Sequence, residues 1–312
     1  MKFSPLFWPV QLKKDVIYVL DETKLPHRLT YIKIKNYQEA VRAIKEMKTR
    51  AVGQVLLVMY TLLLTFRKNQ NKKNLSSQLK KSASALNSSR PTLSFRFLTN
   101  MVLGWHKQGV PLEEKILCFL ETLKVKRIQQ AEEASKLIKS KDVILTHCNV
   151  SGLMPLIGEF CRKQNKRVSF FVTETRPYLQ GSRLTAWELK RDNFDVTVIT
   201  DNMAAFAIER KKINKIIVGA DNLAQNGDIA NKVGTYQLAV LAKHFKVPFY
   251  CLCPPASGAK TGKEIKIEIR PEKELLEYEG LQLAPKGVRA YYPAFDITPR
   301  TLITKHIPLR IG

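Results

Sequence analysis

Apolar positions in the second half of the chain fall into short unbroken runs. Residues 142–146, 168–172, 196–200, 216–219 and 248–252 are apolar and partly β-branched. Stretches of roughly ten to twenty residues, with apolar positions at helical spacing, separate them. Strands alternating with helices in this way predict a parallel, doubly wound sheet. The first third reads differently. Ala40, Val41, Ile44 and Met47 recur at helical intervals, residues 55–66 form a long apolar helix, and 93–105 and 111–138 are again helical by spacing. Only residues 15–20 read as a strand there, followed by a turn over 21–26. Residues 69–89, rich in Lys, Asn and Ser, are either a linker or a solvated helix. The expected class is α/β. A mainly helical amino-terminal domain with a small β element spans 1–128, and the sheet domain spans 129–312.

Composition narrows this little. The 312 residues, 45% hydrophobic and 25% charged, describe an ordinary globular protein with ample core for two domains. The net charge of +25 is the unusual figure. Anionic partners would explain it, and so would a generally basic proteome. The lysines are scattered apart from clusters at 67–81 and 124–127, and no nucleic-acid motif accompanies them, so nucleic acid is not an expected partner. The apolar stretch 55–66 is too short to span a bilayer, and no signal peptide is read at the start, so no membrane association is expected. Five cysteines, an odd number without metal-ligand spacing, fit a reduced cytoplasmic setting and call for no metal. Cys251 and Cys253 lie within an apolar run and read as core packing. With no G-x-G-x-x-G after any strand and no Walker loop, no nucleotide cofactor is expected.

Three strand ends carry polar clusters. The first is Thr146-His147-Cys148-Asn149, where the thiol is either an inert buried cysteine or an acid–base group activated by amide dipoles. The second runs from Thr173 to Leu189, and its concentration of Arg, Gln and Gly reads as a ligand-facing loop. The third is Gly219-Ala220-Asp221, with Asn231-Lys232 ten residues on. It reads either as a polar loop between core elements or as an acid, an amide and an ammonium collected at the sheet edge where open α/β folds bind ligands. Further forward, Arg50 stands just before a helix amino terminus, as a surface arginine or as a clamp for an anion.

These stretches also carry a resemblance. T-E-T-R-P-Y-L-Q-G-S-R-L-T-A-W-E-L, I-T-D-N-M-A-A, G-A-D-N-L-A-Q-N-G-D-I-A-N-K-V-G-T-Y and P-A-F-D-I-T-P resemble methylthioribose-1-phosphate isomerase. Its wider superfamily includes ribose-1,5-bisphosphate isomerase and the regulatory subunits of translation initiation factor 2B. The resemblance covers nearly the whole chain, including D-E-T-K-L-P and A-I-K-E-M-K-T-R near its start. It implies a Rossmann-like carboxy-terminal domain, a homodimer and a phosphorylated pentose substrate. It also implies roles: Cys148 as the active-site cysteine, Asp221 as the acid–base aspartate, and Arg50, Ala51, Val52, Arg90, Gln180, Asn231 and Lys232 as substrate- and phosphate-binding positions.

The implied reaction makes sense of those residue types. The site must open the sugar ring and move hydrogen from C2 to C1, by a hydride shift or through a phosphoenolate. Two proton-transfer groups and several cations for a phosphate dianion are what it needs. There are departures. Arg50-Ala51-Val52-Gly53 lacks the first glycine of the usual R-G-A-P-A-I-G stretch, Tyr292 replaces an Asn before Pro293, and the segment from Cys148 to Glu174 is short. The expected activity is conversion of 5-methylthioribose 1-phosphate to 5-methylthioribulose 1-phosphate in methionine salvage. The rivals are ribose-1,5-bisphosphate isomerase and a non-catalytic regulatory subunit resembling those of translation initiation factor 2B.

Overall fold

The computed structural model describes residues 3–90 and 95–310. The chain divides into two compact units, Met1–Lys126 and Arg127–Gly312.

The first unit opens with an antiparallel sheet of β1 (Val10–Lys13), β2 (Val16–Leu20) and β3 (Tyr31–Ile34). Only β2 falls within the strand expected over 15–20; its two partners alternate polar and apolar residues too briefly to stand out. Helix α1 (Tyr37–Lys45) begins at Asn36, whose side chain accepts from Glu39 N, while the Glu39 carboxylate accepts from Lys35 N. That reciprocal arrangement satisfies amide groups the helix itself leaves open. Helix α2 (Val52–Asn69) buries Leu56, Leu57, Val58, Met59, Leu62, Leu63 and Leu64. Apolar on nearly every side, it packs against α1, β1 and β2. Helix α3 (Leu75–Asn87) occupies the stretch expected as a linker or solvated helix; it is a helix, solvated on one face only. Leu79, Ala83 and Leu86 form a buried face against α2 that the surrounding Lys, Asn and Ser residues conceal. Helix α4 (Arg96–Lys107) matches most of the helix expected over 93–105; residues 91–94 lie outside the described residues. The division between the units falls within α5 (Leu112–Lys136).

In the second unit the chain runs through β4 (Val143–Thr146), α6 (Leu153–Lys163), β5 (Ser169–Thr173), one π-helical turn at Gly181–Thr185, α7 (Ala186–Arg191) and β6 (Asp195–Ile199). It continues through α8 (Ala204–Lys211), β7 (Lys215–Gly219), the short β8 (Asn222–Leu223), β9 (Ile229–Lys232), α9 (Thr235–His244) and β10 (Phe249–Cys253). It ends with α10 (Lys273–Leu276), a small hairpin of β11 (Glu277–Tyr278) and β12 (Leu281–Gln282), then β13 (Phe295–Thr298) and β14 (Lys305–Pro308).

Six strands form one parallel sheet in the order β14-β10-β7-β4-β5-β6. The five apolar runs are β4, β5, β6, β7 and β10, so the doubly wound α/β reading holds. Leu145, Ile216, Val218, Phe249 and Cys251 pack with Ala204, Ala207 and Ile208 of α8 and Leu238, Ala239 and Ala242 of α9. Cys251 and Cys253 are buried free thiols, and the Cys251 thiol donates to the Gly219 carbonyl. A second, antiparallel sheet, β13-β9-β8, is built from segments too short and polar to be recognised as strands.

Strand order places the ligand edge. From β4 the chain winds through β5 and β6 to one side; it then returns to β7 and winds through β10 and β14 to the other. The reversal lies between β4 and β7, which pair directly at Leu145 and Ile216. At such a switch point the connections leave in opposite directions and open a crevice beyond the strands' carboxyl ends.

The loop after β5 is held close to this edge by Gly181, where a Cβ would stand 1.7 Å from the Thr173 carbonyl oxygen. Gly181→Ala is therefore expected to destabilise the protein by about 2 kcal/mol or more, as overpacking against backbone does. Chemical denaturation checks this; an unchanged midpoint would contradict it.

Candidate functional site

Beyond β4 the backbone turns sharply. Cys148 (φ 64°), Ser151 (φ 51°) and Gly152 (φ 78°) all take positive φ ahead of α6. Left-handed conformations cost a non-glycine residue on the order of 1 kcal/mol or more and persist where surrounding contacts enforce them. Those contacts are present. Cys148 N donates to Thr175 Oγ1 at 2.9 Å, and the Cys148 carbonyl accepts from Thr185 Oγ1 at 2.6 Å. The Asn149 amide donates to Thr185 Oγ1 and Glu188 Oε1 and accepts from Ser151 N. Behind them Arg127 donates to the Ser151 carbonyl at 2.6 Å. Burial pulls this guanidinium down to about 10, opposed by attraction to Glu188.

His147 lies buried beneath Cys148. Its Nε2 donates to the Val233 carbonyl at 3.0 Å, so Nδ1 accepts from Thr173 Oγ1 at 2.6 Å. Burial lowers its pKa, although the Asp201 carboxylate 3.9 Å from Nδ1 favours the charged ring. The imidazole is a neutral strut between β5 and the start of α9. Gly234 (φ 103°) leaves room for it, since a Cβ there would stand 3.1 Å from Cε1.

The β5 tip is strained as well. Thr175, a β-branched residue, has φ 64°, an uncommon state for its type. Asp201, just past β6, holds it there, accepting from Thr175 N at 2.8 Å and Arg176 N at 2.7 Å. Gln180 follows on the same loop. It is 4% exposed, and its Oε1 has no hydrogen-bond partner among the described residues. A buried acceptor left open in this way costs about 1–3 kcal/mol until something donates to it.

At the third tip, Asp221 N donates to the Ala230 carbonyl, tying the end of β7 to β9 beside Asn231 and Lys232. The Asp221 carboxylate lies within electrostatic reach of Cys251 on the neighbouring strand β10. Asn231 is buried and donates to Thr235 Oγ1 at 2.9 Å. Lys232 is 7% exposed, its ammonium 3.4 Å from Tyr292 Oη and 5.1 Å from the Phe295 ring centre. Asn231 and Lys232 thus sit on a strand, not in the polar loop that was one reading of their sequence. Cys148, Gln180, Asp221, Asn231 and Lys232 all follow or flank the carboxyl ends of β4, β5 and β7.

The first unit gathers the other expected residues around the start of α2. The Glu22 carboxylate accepts from Thr49 Oγ1, Arg50 N and Arg50 Nε, the last at 3.1 Å. Arg90 donates to Gln54 Oε1 at 2.9 Å, and Gln54 donates to the Thr49 carbonyl. Arg50 is 8% exposed and is therefore not the surface arginine its position allowed. Ala51 adopts φ 43°, ψ −119°, a conformation suited to glycine, and Val52 opens the helix.

Four residues escaped the sequence reading: Glu22, His147, Asp201 and Asp296. Each acts through partners far away in sequence. All four stood inside stretches already singled out, which was the only available signal. Among the described residues no group of acidic, histidine and cysteine side chains could hold a metal ion, and no helix is long and apolar enough to cross a membrane.

Asp296 yields a prediction. It accepts from Gly234 N and Tyr236 N at the start of α9. Burial nevertheless raises its carboxyl from 3.8 to about 6, outweighing those amides. A carboxyl raised on folding binds its proton more readily in the native state, so it stabilises at low pH and that contribution is lost as pH rises from about 4 through about 6. Denaturation midpoints across that window should show a fall in the wild type, worth about 3 kcal/mol, that Asp296→Asn lacks. Parallel profiles would contradict this.

Methylthioribose-1-phosphate isomerase of Thermosipho melanesiensis is 38% identical over 93% of this chain and 90% of its own length. The crystal structure of 5-methylthioribose 1-phosphate isomerase from Pyrococcus horikoshii superposes with a TM-score of 0.85 at 30% identity, covering 99% of this chain and 94% of that one. The structure titled translation initiation factor eIF-2B, subunit delta, from A. fulgidus gives 0.83 at 32% identity, over 97% and 94%. Residues 49–308 match the model of the initiation factor 2 subunit family, and the chain belongs to that family.

Proposed function

We propose that this protein is an aldose–ketose isomerase of a five-carbon sugar 1-phosphate, converting 5-methylthioribose 1-phosphate to 5-methylthioribulose 1-phosphate. One observation carries the reading. Cys148 and Asp221 leave the carboxyl ends of two directly paired strands, β4 and β7, at the reversal in strand order. The names of the T. melanesiensis and P. horikoshii relatives support the substrate.

The chemistry follows from the groups present. As the bond between C1 and the ring oxygen breaks, the ring oxygen must gain a proton. Hydrogen then moves from C2 to C1, and the C2 hydroxyl loses its proton to become the ketone. Asp221 and Cys148 are the proton donor and acceptor on this reading. Lys232 opposes the phosphate charge, and a sugar hydroxyl donates to the open Gln180 Oε1.

Replacing Cys148 by Ser or Asp221 by Asn should lower kcat by about 100-fold or more, the usual range for an acid–base group, while the fold survives. The assay offers 5-methylthioribose 1-phosphate and ribose 1,5-bisphosphate side by side. Faster turnover of the bisphosphate would replace the substrate assignment. Absence of turnover with both would favour a binding-only regulatory subunit, the reading to which the name of the A. fulgidus protein points.

The functional form on this reading is a homodimer. Met203, just ahead of α8, and Phe206 on α8, with Tyr236 and Val240 on the adjacent α9, are 42–60% exposed and present apolar surface on neighbouring helices. Large exposed apolar side chains grouped in this way mark interaction faces. Phe206→Asp is expected to halve the mass seen by light scattering; an unchanged dimer, or a monomeric wild type, would refute this interface.

A further inference from the structure

Lys232, on β9 beside the β7 tip, opposes the phosphate charge on the reading above, and two aromatic residues of one short segment stand against it. β9 pairs with β13 so that Lys232 lies opposite Phe295. The Lys232 ammonium stands 5.1 Å from the Phe295 ring centre, 5.6 Å from that of Tyr292 and 3.4 Å from Tyr292 Oη. Both rings lie within the range over which an aromatic face attracts an ammonium.

The Tyr292 backbone is clamped from two sides. Arg270 N donates to the Tyr292 carbonyl at 2.9 Å, Ala294 N donates to the Glu268 carbonyl at 2.8 Å, and Ile269 bridges Pro293. From the other side Val233 N donates to the Ala294 carbonyl at 3.1 Å. Arg270 is itself held by the Glu268 and Glu274 carboxylates. The Tyr292 side chain is 5% exposed and within electrostatic reach of Cys148. Burial holds its hydroxyl well above the usual phenol range, so it stays protonated, accepting from Lys232 while its own proton is free to point elsewhere.

We propose that Tyr292 is a positioning residue for Lys232: its ring and hydroxyl, with the ring of Phe295, fix the ammonium at the sheet edge where the substrate phosphate is bound. This rests on the sugar-phosphate reading. A lysine side chain has four flexible bonds, and ordering them before the anion arrives spares that cost on binding. Tyr292 acts through Lys232 and touches no reacting atom.

The test is a double-mutant cycle read by equilibrium binding of inorganic phosphate, which needs no turnover. Tyr292→Ala should weaken phosphate binding about 10-fold, and Tyr292→Phe, which keeps the ring, about 3-fold. In a Lys232→Met background the same changes should matter less than about 2-fold. With substrate, KM should rise by the larger factor while kcat changes less. Equal factors in both backgrounds, or unchanged phosphate binding, would overturn the proposal. Should Tyr292→Ala not fold, the Tyr292→Phe arm of the cycle decides alone by the same criterion. Loss of all isomerase activity in the wild type, with the cycle behaving as described, would count against the reaction and leave Tyr292 as the positioner of an anion-binding lysine.

Discussion

The direct parallel pairing of β4 with β7 is the constraint on which the rest depends. The two strands are far apart in sequence, and β5 and β6 intervene, yet they meet at the centre of the sheet. Because the connection after β4 leads to one side and that after β7 to the other, neither covers the gap between them. Neighbouring strands lie about 4.8 Å apart, so groups one or two residues beyond their ends come within reach of a single small molecule. The β8–β9 excursion after Asp221 adds Asn231 and Lys232 from the flank.

Holding polar groups there requires strain and buried polarity to be offset nearby. Cys148 and Thr175 both take left-handed backbone, and they are tied to each other by the Cys148 N to Thr175 Oγ1 bond. Asp201 then fixes Thr175 through two consecutive amides, and Thr185 and Asn149 fix the far side of Cys148. Neutral His147 braces β5 against the start of α9. These side chains give the edge its shape without any of them having to touch a ligand. The Thr175 and Thr185 hydroxyls, the Asn149 amide and the Asp201 carboxylate thereby maintain one thiol in a fixed place, the kind of preorganisation catalysis demands.

How much of this was legible in the sequence depended on whether a signal was local. Strands β4, β5, β7 and β10 are largely buried apolar runs, and the edge strand β6 is rich in β-branched residues; all five announce themselves. Strands β8, β9, β13 and β14, with sequences N-L, I-A-N-K, F-D-I-T and K-H-I-P, do not, because pairing and not composition makes them strands. Helix α3 was obscured in the opposite way, its buried Leu79, Ala83 and Leu86 outnumbered by solvated neighbours. Cys148 and Asp221 could be placed at strand ends from the pattern alone, and the resemblance supplied their roles. The supports could not be placed so. Asp201 reaches back 25 and 26 residues to its amides, and Asp296 reaches back 60 and 62.

The central claim is that a sugar phosphate occupies the crevice between the ends of β4 and β7, against Cys148. Its most direct measurement is the rate at which iodoacetamide labels each cysteine, followed by mass spectrometry with and without 5-methylthioribose 1-phosphate. Cys118, exposed in the first unit, serves as an internal reference, and buried Cys161, Cys251 and Cys253 should stay slow throughout. Cys148 labelling should fall by at least about tenfold at saturating ligand while Cys118 labelling is unchanged. Equal labelling of Cys148 with and without ligand would place the substrate elsewhere and contradict the account.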